Sequence, residues 1–215
     1  MTGTRTVSKK ANRINVKNLV YTLVLSDTEE GTTYGDVRKI GPAMQVQLTP
    51  SLSSGVLFGD GVQQENIAKL NGIAMVLDAN KIKIEDRADM LGHKYENGVL
   101  IEAVGDEAPY IAVGYIVDET NQCKEYVWLL KGRAQPFNSS VQQSTDNLNF
   151  STDSITINFI PRDSDGQLRY FADSANESLT ADQISKWFVS GPSKPVVVSA
   201  QAQNAETTEQ TQGAS

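Results

Sequence analysis

One histidine and one cysteine limit the chemistry open to this 215-residue chain. Nucleophilic catalysis by serine, threonine or cysteine needs an adjacent base, most often histidine. His93 directly follows Gly92, a glycine placed to stop a helix, so it reads as a surface or capping residue. Cys123 sits in the polar stretch Asn121-Gln122-Cys123-Lys124, where only Lys124 is placed to lower its pKa. An idle thiol near a turn is the expectation. A lone cysteine makes no internal disulfide and no cysteine metal cluster. Asp163-Ser164-Asp165-Gly166 looks like part of a calcium loop. With Asp165 and Gly166 at the fifth and sixth loop positions, however, Pro161 and Ala172 fall where the first and last carboxylates are required. The stretch reads as a turn. Gly59-Asp60-Gly61 is too short for a phosphate loop and opens no helix. Asp86/Asp89 and Asp106/Glu107 are uninformative, because catalytic carboxylate pairs are recognised by separation in space. No catalytic, cofactor-binding or metal-binding residue is expected, and the chain is not expected to be an enzyme.

Charge is more informative. Residues 1–17 hold Arg5, Lys9, Lys10, Arg13 and Lys17 and no acid. The other 198 residues carry 14 bases against 26 acids, a net of −12. A short basic arm thus precedes an acidic body, which argues against a nucleic-acid binder held by phosphate contacts. No run approaches the roughly 18 apolar residues of a membrane helix. Leu19–Leu25 is interrupted by Tyr21 and Thr22 and lacks a small-residue cleavage site. It reads as a buried first strand rather than a signal peptide, and the chain is expected to stay in the cell that makes it.

Strand signals dominate the elements that must carry these residues. Met44, Val46 and Leu48 alternate with Gln45, Gln47 and Thr49, and Pro50 is expected to end that strand. Ile73–Leu77 follows a turn at Asn71-Gly72, and Val99–Val104 follows Asn97-Gly98, the strongest hairpin signal in the chain. Tyr110–Val117 and Tyr126–Leu130 are further apolar runs. Leu148–Ile160 places Ile155, Ile157 and Phe159 on one face. Two helices are expected. Glu85–Leu91 has acids in its first turn and Gly92 as its stop. Residues 181–189 follow a capping box at Thr180 and Gln183, with Leu179 and Ile184 as a hydrophobic staple and Trp187 and Phe188 on the packed face. The fold expected is mainly β: an antiparallel β-sandwich or split barrel with one flanking helix and a C-terminal helix.

The order of short motifs adds a resemblance. Val16-Lys17-Asn18-Leu19-Val20-Tyr21, Thr33-Tyr34-Gly35, Gly41-Pro42-Ala43 and Leu48-Thr49-Pro50 come first. Leu57-Phe58-Gly59-Asp60-Gly61, Met90-Leu91-Gly92-His93, Asn97-Gly98-Val99-Leu100 and Ile111-Ala112-Val113-Gly114 follow. Tyr126 through Gly132, Ser144-Thr145, Leu148-Asn149-Phe150, Ile155-Thr156-Ile157 and Pro161-Arg162 complete the series. Across roughly residues 14–162 this order resembles the major tail proteins, or tail tube proteins, of long-tailed phages infecting Gram-positive bacteria. Gly59-Asp60-Gly61 departs from that family in being less acidic and richer in glycine, and the segment after Asp165 is less familiar.

The resemblance implies a structural virion protein of the siphovirus tail, assembled in the host cytoplasm. Six copies would form a ring, and rings would stack into a tube whose acidic lumen conducts the genome during ejection. Implied partners are further copies of the chain and the tape measure, tail terminator and distal tail proteins. Double-stranded DNA would be passing cargo, and no membrane or cofactor is implied. The expected organisation is a flexible basic arm at 1–13, then a tail tube domain at 14–162 with a long loop at 50–70. A C-terminal extension at 163–199 carries the helix 181–189, and a disordered tail follows at 200–215. That loop is much longer than a hairpin turn yet contains the apolar island Val56-Leu57-Phe58. Val56, Leu57, Phe58 and Asp60 are therefore the expected contacts between rings. The alternative is a non-enzymatic β-sandwich module that binds carbohydrate or protein.

Overall fold

The structure, a computed structural model, describes residues 11–59, 62–139, 152–176 and 179–192. The chain is mainly β and antiparallel, with few helices, consistent with a β-sandwich. It begins with β1 (Arg13–Thr28), β2 (Gly31–Tyr34), β3 (Arg38–Gly41), β4 (Ala43–Gly59) and β5 (Val62–Ala79). Helix α1 (Ile84–Leu91) leads to the small hairpin of β6 (Lys94–Glu96) and β7 (Val99–Ile101). Then come β8 (Tyr110–Glu119), β9 (Lys124–Ala134), β10 (Asn138–Ser139), β11 (Asp153–Phe159), β12 (Arg169–Asp173) and α2 (Ala181–Lys186).

The main sheet runs β2-β1-β8-β9-β11-β5-β4, with β3 added to β1, β12 to β9 and β10 to β11. Its two ends are connected. β3 pairs with β1 and β4 pairs with β5, and only Pro42 separates β3 from β4. The sheet therefore curls back toward its own beginning and encloses a core. Leu19, Tyr21, Ile73, Met75, Leu77, Ile111, Val113, Leu129, Ile155, Ile157 and Phe159 fill it, and Ile82, Met90 and Leu91 enter from α1 and its approach. Backbone N–H of Ile82 donates to Asp153 Oδ2 at 2.8 Å, and Arg87 pairs with the same carboxylate at 2.6 Å, which fixes the start of the helix.

A second apolar layer lies on the opposite face of the sheet. Val20, Ala112, Trp128, Leu130 and Tyr170 are buried there beneath Trp187 and Phe188. Odd and even residues of Val127–Leu130 thus go to different layers. This is why Tyr126–Leu130 reads as an unbroken apolar run instead of an alternating one. Where β9 and β11 cross, a Cβ on Gly132 would lie 2.6 Å from the Phe159 ring, so no larger side chain is accommodated without displacing it.

Several local expectations hold. Asn97 and Gly98 both take positive φ, 51° and 82°, as a two-residue hairpin turn requires. Gly92 ends α1 in the left-handed region at φ 73°. Asp163–Asp165 forms a turn. The capping box of α2 is present, with Thr180 and Gln183 bonded reciprocally. That helix stops at Lys186, earlier than the expected 189, because Trp187 is already its C-cap and its carbonyl accepts from Trp128 Nε1 at 2.8 Å. Its final turn is given up to pack Trp187 and Phe188 on the sheet.

Other expectations are corrected. Pro50 does not end β4; it pairs with Ile73 inside the strand. β4 is an edge strand with a neighbour on one side only, the position in which a sheet tolerates a residue lacking N–H. Asn71-Gly72 is not a turn but part of β5. Glycine serves close approach there, since a Cβ on Gly72 would lie 2.8 Å from the Phe159 carbonyl oxygen. The loop expected at 50–70 is instead a two-stranded ribbon, with β4 and β5 paired from Ala43↔Ala79 out to Gly59↔Val62. β1 is longer than Leu19–Leu25, and the last residue assigned to the arm, Arg13, already pairs with Glu119. The strand beginning at Val99 ends at Ile101, short of Val104. The termini at 1–10 and 193–215, which include the expected tail, lie outside the described residues, as does 140–151.

Candidate assembly surfaces

The residues with catalytic potential are held in ordinary structural contacts. His93 Nδ1 is 2.7 Å from Asp106 Oδ2, and its Nε2 is 3.6 Å from Glu102. Asp106 also accepts the Ala103 N–H, and that bond, with the help of His93, holds its carboxyl below the usual range. Cys123 is half-buried in the β8–β9 connection, where its N–H donates to Asn121 Oδ1. Asp86 and Asp89 both lie within reach of the Tyr21 hydroxyl, which is 3.5 Å from Asp89 Oδ2. Tyr21 donates to Asp86 Oδ1 at 2.9 Å, while Asp89 pairs with Arg38. Burial first, and Asp86 second, push the Tyr21 hydroxyl well above the usual phenol range. Among the described residues no three His, Cys, Asp or Glu side chains gather into a metal site. No described helix is long and apolar enough to cross a membrane.

The turn at Asp163–Gly166 belongs to a buried polar latch that sequence reading missed. Lys131 Nζ donates to Asp27 and Asp163, each at 2.8 Å. Asp27 also accepts Thr32 Oγ1 at 2.8 Å and the backbone N–H groups of Asp163 and Ser164. Side-chain exposure is 6% for Lys131 and 4% for Asp27. Burial alone would raise Asp27, but the bonds from Lys131, Asp163 N–H and Thr32 outweigh it and hold the carboxyl well below its usual range. Beside this pair, Arg162 bonds Asp165, Tyr34 and Tyr170. The latch ties the β1–β2 hairpin to the connection between β11 and β12.

Three surfaces remain open. The first is the outer part of the β4–β5 ribbon. Among the described residues, β11 pairs with β5 only over Ile73–Ala79, so from Ser51↔Gly72 outward β4 and β5 pair only with each other. At about 3.3 Å per residue, that part extends roughly 26 Å past the body. Leu52 and Leu70 are cross-strand partners on one face, and both are exposed, as is Ile67 on the other. Of the expected ring contacts, Val56, Leu57 and Phe58 fall in the outer ribbon, paired with Asn66, Glu65 and Gln63. Their side chains, and Asp60 altogether, lie outside the described residues.

The second surface is an open groove of about 650 Å³. Val16, Val117 and Val127 form part of its floor, with Met44, Leu48 and Phe171 along its sides. The Arg13–Glu125 ion pair closes one rim. The third is the outer face of the β6–β7 hairpin. Val99 and Ile101 are exposed, and nearby Val104 is fully exposed. No protein-family model matches the chain, and comparison with curated proteins finds no match.

Proposed function

We propose that this chain is a structural subunit that assembles with copies of itself into rings stacked as a tube, the tail tube of a long-tailed phage. The outer β4–β5 ribbon is the observation that carries this reading. A lone two-stranded ribbon is at best marginally stable in water. This one also presents Leu52, Leu70 and Ile67 to solvent. A neighbouring copy that covers the ribbon removes both costs. The same contact, repeated head to tail, closes a ring or builds a filament. The order of sequence motifs supports the tail tube in particular, as does the acidic body, which gives a sliding duplex few phosphate contacts. On this reading the tape measure, tail terminator and distal tail proteins meet the tube, and the protein resides in the virion tail after assembly in the host cytoplasm.

Negative-stain microscopy of the purified protein is expected to show rings or tubes. Uniform small particles at every concentration and salt tested would remove the reading. Duplex DNA is expected to show no measurable binding in a gel-shift assay at physiological salt. Micromolar affinity with a steep salt dependence would overturn the sliding-lumen idea. A second reading, a protein-binding module, is supported by the groove flanked by Met44 and Phe171. It leaves the ribbon unexplained. A carbohydrate platform has less support, because Trp128 is buried and Trp187 packs beside Tyr126.

A further inference from the structure

We infer that the outer face of the β6–β7 hairpin, together with the loop after it, receives the basic N-terminal arm of a second copy of this chain. The inference rests on the self-assembly reading and supplies it with a second contact, separate from the ribbon.

In the hairpin, Lys94 pairs across the strands with Ile101, and Glu96 with Val99, so these four share one face. Tyr95 and Leu100 occupy the other face, where the Tyr95 hydroxyl reaches Glu85 of α1 at 3.5 Å. The outward face presents Val99 and Ile101 beside the Lys94–Glu96 ion pair and is continued by Val104. Carboxylates surround it. Residues 94–107 contain Glu96, Glu102, Asp106 and Glu107, of which Glu96 is paired with Lys94, Asp106 is bonded to His93 and Glu107 is paired with Arg133. The Glu102 side chain is 69% exposed, with the His93 ring 3.6 Å from it. The arm complements this surface. Residues 1–10 contain Arg5, Lys9 and Lys10, no acid, and one branched apolar residue, Val7.

Reach decides whose arm it is. β1 and β8 are antiparallel, with Arg13 opposite Glu119 at one end and Leu23 opposite Ile111 at the other. The arm departs from the first end, where Asn12 and Thr120 are bonded to each other. The hairpin belongs to the second end. Gly92, two residues before it, lies against Glu107 and Pro109, immediately ahead of β8. Along β8 the two ends are about 30 Å apart at roughly 3.3 Å per residue. Lys10, Lys9 and Arg5 stand one, two and six residues beyond Ala11, so their backbones extend no more than about 22 Å from it. They do not reach the hairpin of their own chain. A copy stacked head to tail brings its arm end to this hairpin end, and the contact then repeats without closing.

The test uses a labelled synthetic peptide of residues 1–12, titrated onto the full-length protein by fluorescence anisotropy. The protein carries Arg5→Glu, Lys9→Glu and Lys10→Glu, so that its own arm does not compete. Saturable binding is expected, weakened at least about tenfold between 50 and 500 mM salt. It should weaken at least as much on adding Glu102→Lys and Val104→Ser, both surface changes. No binding, or binding that ignores the hairpin substitutions, overturns the inference. Binding lost instead with Met44→Ser and Phe171→Ser places the arm in the groove and also overturns it. Microscopy separates this outcome from the fate of the assembly reading. Tubes without peptide binding leave that reading intact and remove the inference. Hairpin-dependent binding without tubes does the reverse.

Discussion

Asp27→Asn is expected to lower the unfolding free energy by about 3 kcal/mol at neutral pH, the cost of breaking a buried ion pair from one side. The substitution keeps the side chain's size but leaves Lys131 with a single carboxylate, Asp163, whose side chain is 66% exposed. It also weakens the acceptor for two backbone N–H groups. Lys131→Met in the same background should recover part of the loss, because the stranded cation is then gone. The pH dependence has a definite sign. The folded pKa of Asp27 lies below its unfolded value, so its contribution is present above about pH 4 and fades as pH falls further. The gap between wild type and variant should therefore narrow in acid. Lys131 is shifted the other way. Burial opposes its charge, but the bonds to Asp163 and Asp27 prevail and raise its pKa. Its contribution is complete below about pH 10 and lost only in stronger alkali. Urea titrations at several pH values measure all of this. A loss within about 0.5 kcal/mol, the scale of an ordinary surface change, would show that the latch adds little.

The double variant Leu52→Ser, Leu70→Ser should separate folding from assembly. Both side chains are exposed and face each other in the ribbon, well away from the core. Thermal unfolding of the single chain should barely move. Assembly should suffer heavily, since covering a leucine is worth about 1.5–3 kcal/mol. Even half of that per side chain raises the concentration needed for assembly by more than about tenfold. Light scattering against protein concentration gives the threshold for wild type and variant. Leu57→Ser with Phe58→Ser, further out on the ribbon, should act in the same direction. Normal assembly by the Leu52/Leu70 variant would sink the ribbon as the contact surface.

What could be read from the chain beforehand depends on how far each interaction reaches. Asn97-Gly98, Gly92 and the Thr180/Gln183 box act over a few residues, and each occurs where local chemistry puts it. Pro50 and Asn71-Gly72 carry equally strong local signals, yet both lie within strands. Their placement depends on β4 being an edge and on Phe159 passing close to Gly72, and neither fact is local. The Asp27 latch is invisible for the same reason, because Lys131 and Asp163 are more than 100 residues further along. The proposed contact residues Val56-Leu57-Phe58 fall on the outer ribbon. The sequence around them, rich in Ser, Gly, Gln and Asn, hides that the region is a strand. The hairpin face was missed as a surface because Val99 and Ile101 read as ordinary strand residues.

The ribbon also bears on the order of events in synthesis. β4 and β5 are neighbours in sequence, joined at Gly59 and Val62, whereas β5 waits for β11 and β9 waits for β12. Pairings close in sequence form before distant ones, because less chain entropy is lost in closing them. The ribbon is thus among the first parts of the molecule able to take shape, while the strands that complete the main sheet are still to be made. On the proposed assembly reading, a growing chain presents its contact surface before it has an interior. On that same reading, unfinished chains can be captured by finished ones, and the yield of usable subunits depends on how quickly β11 and β12 arrive.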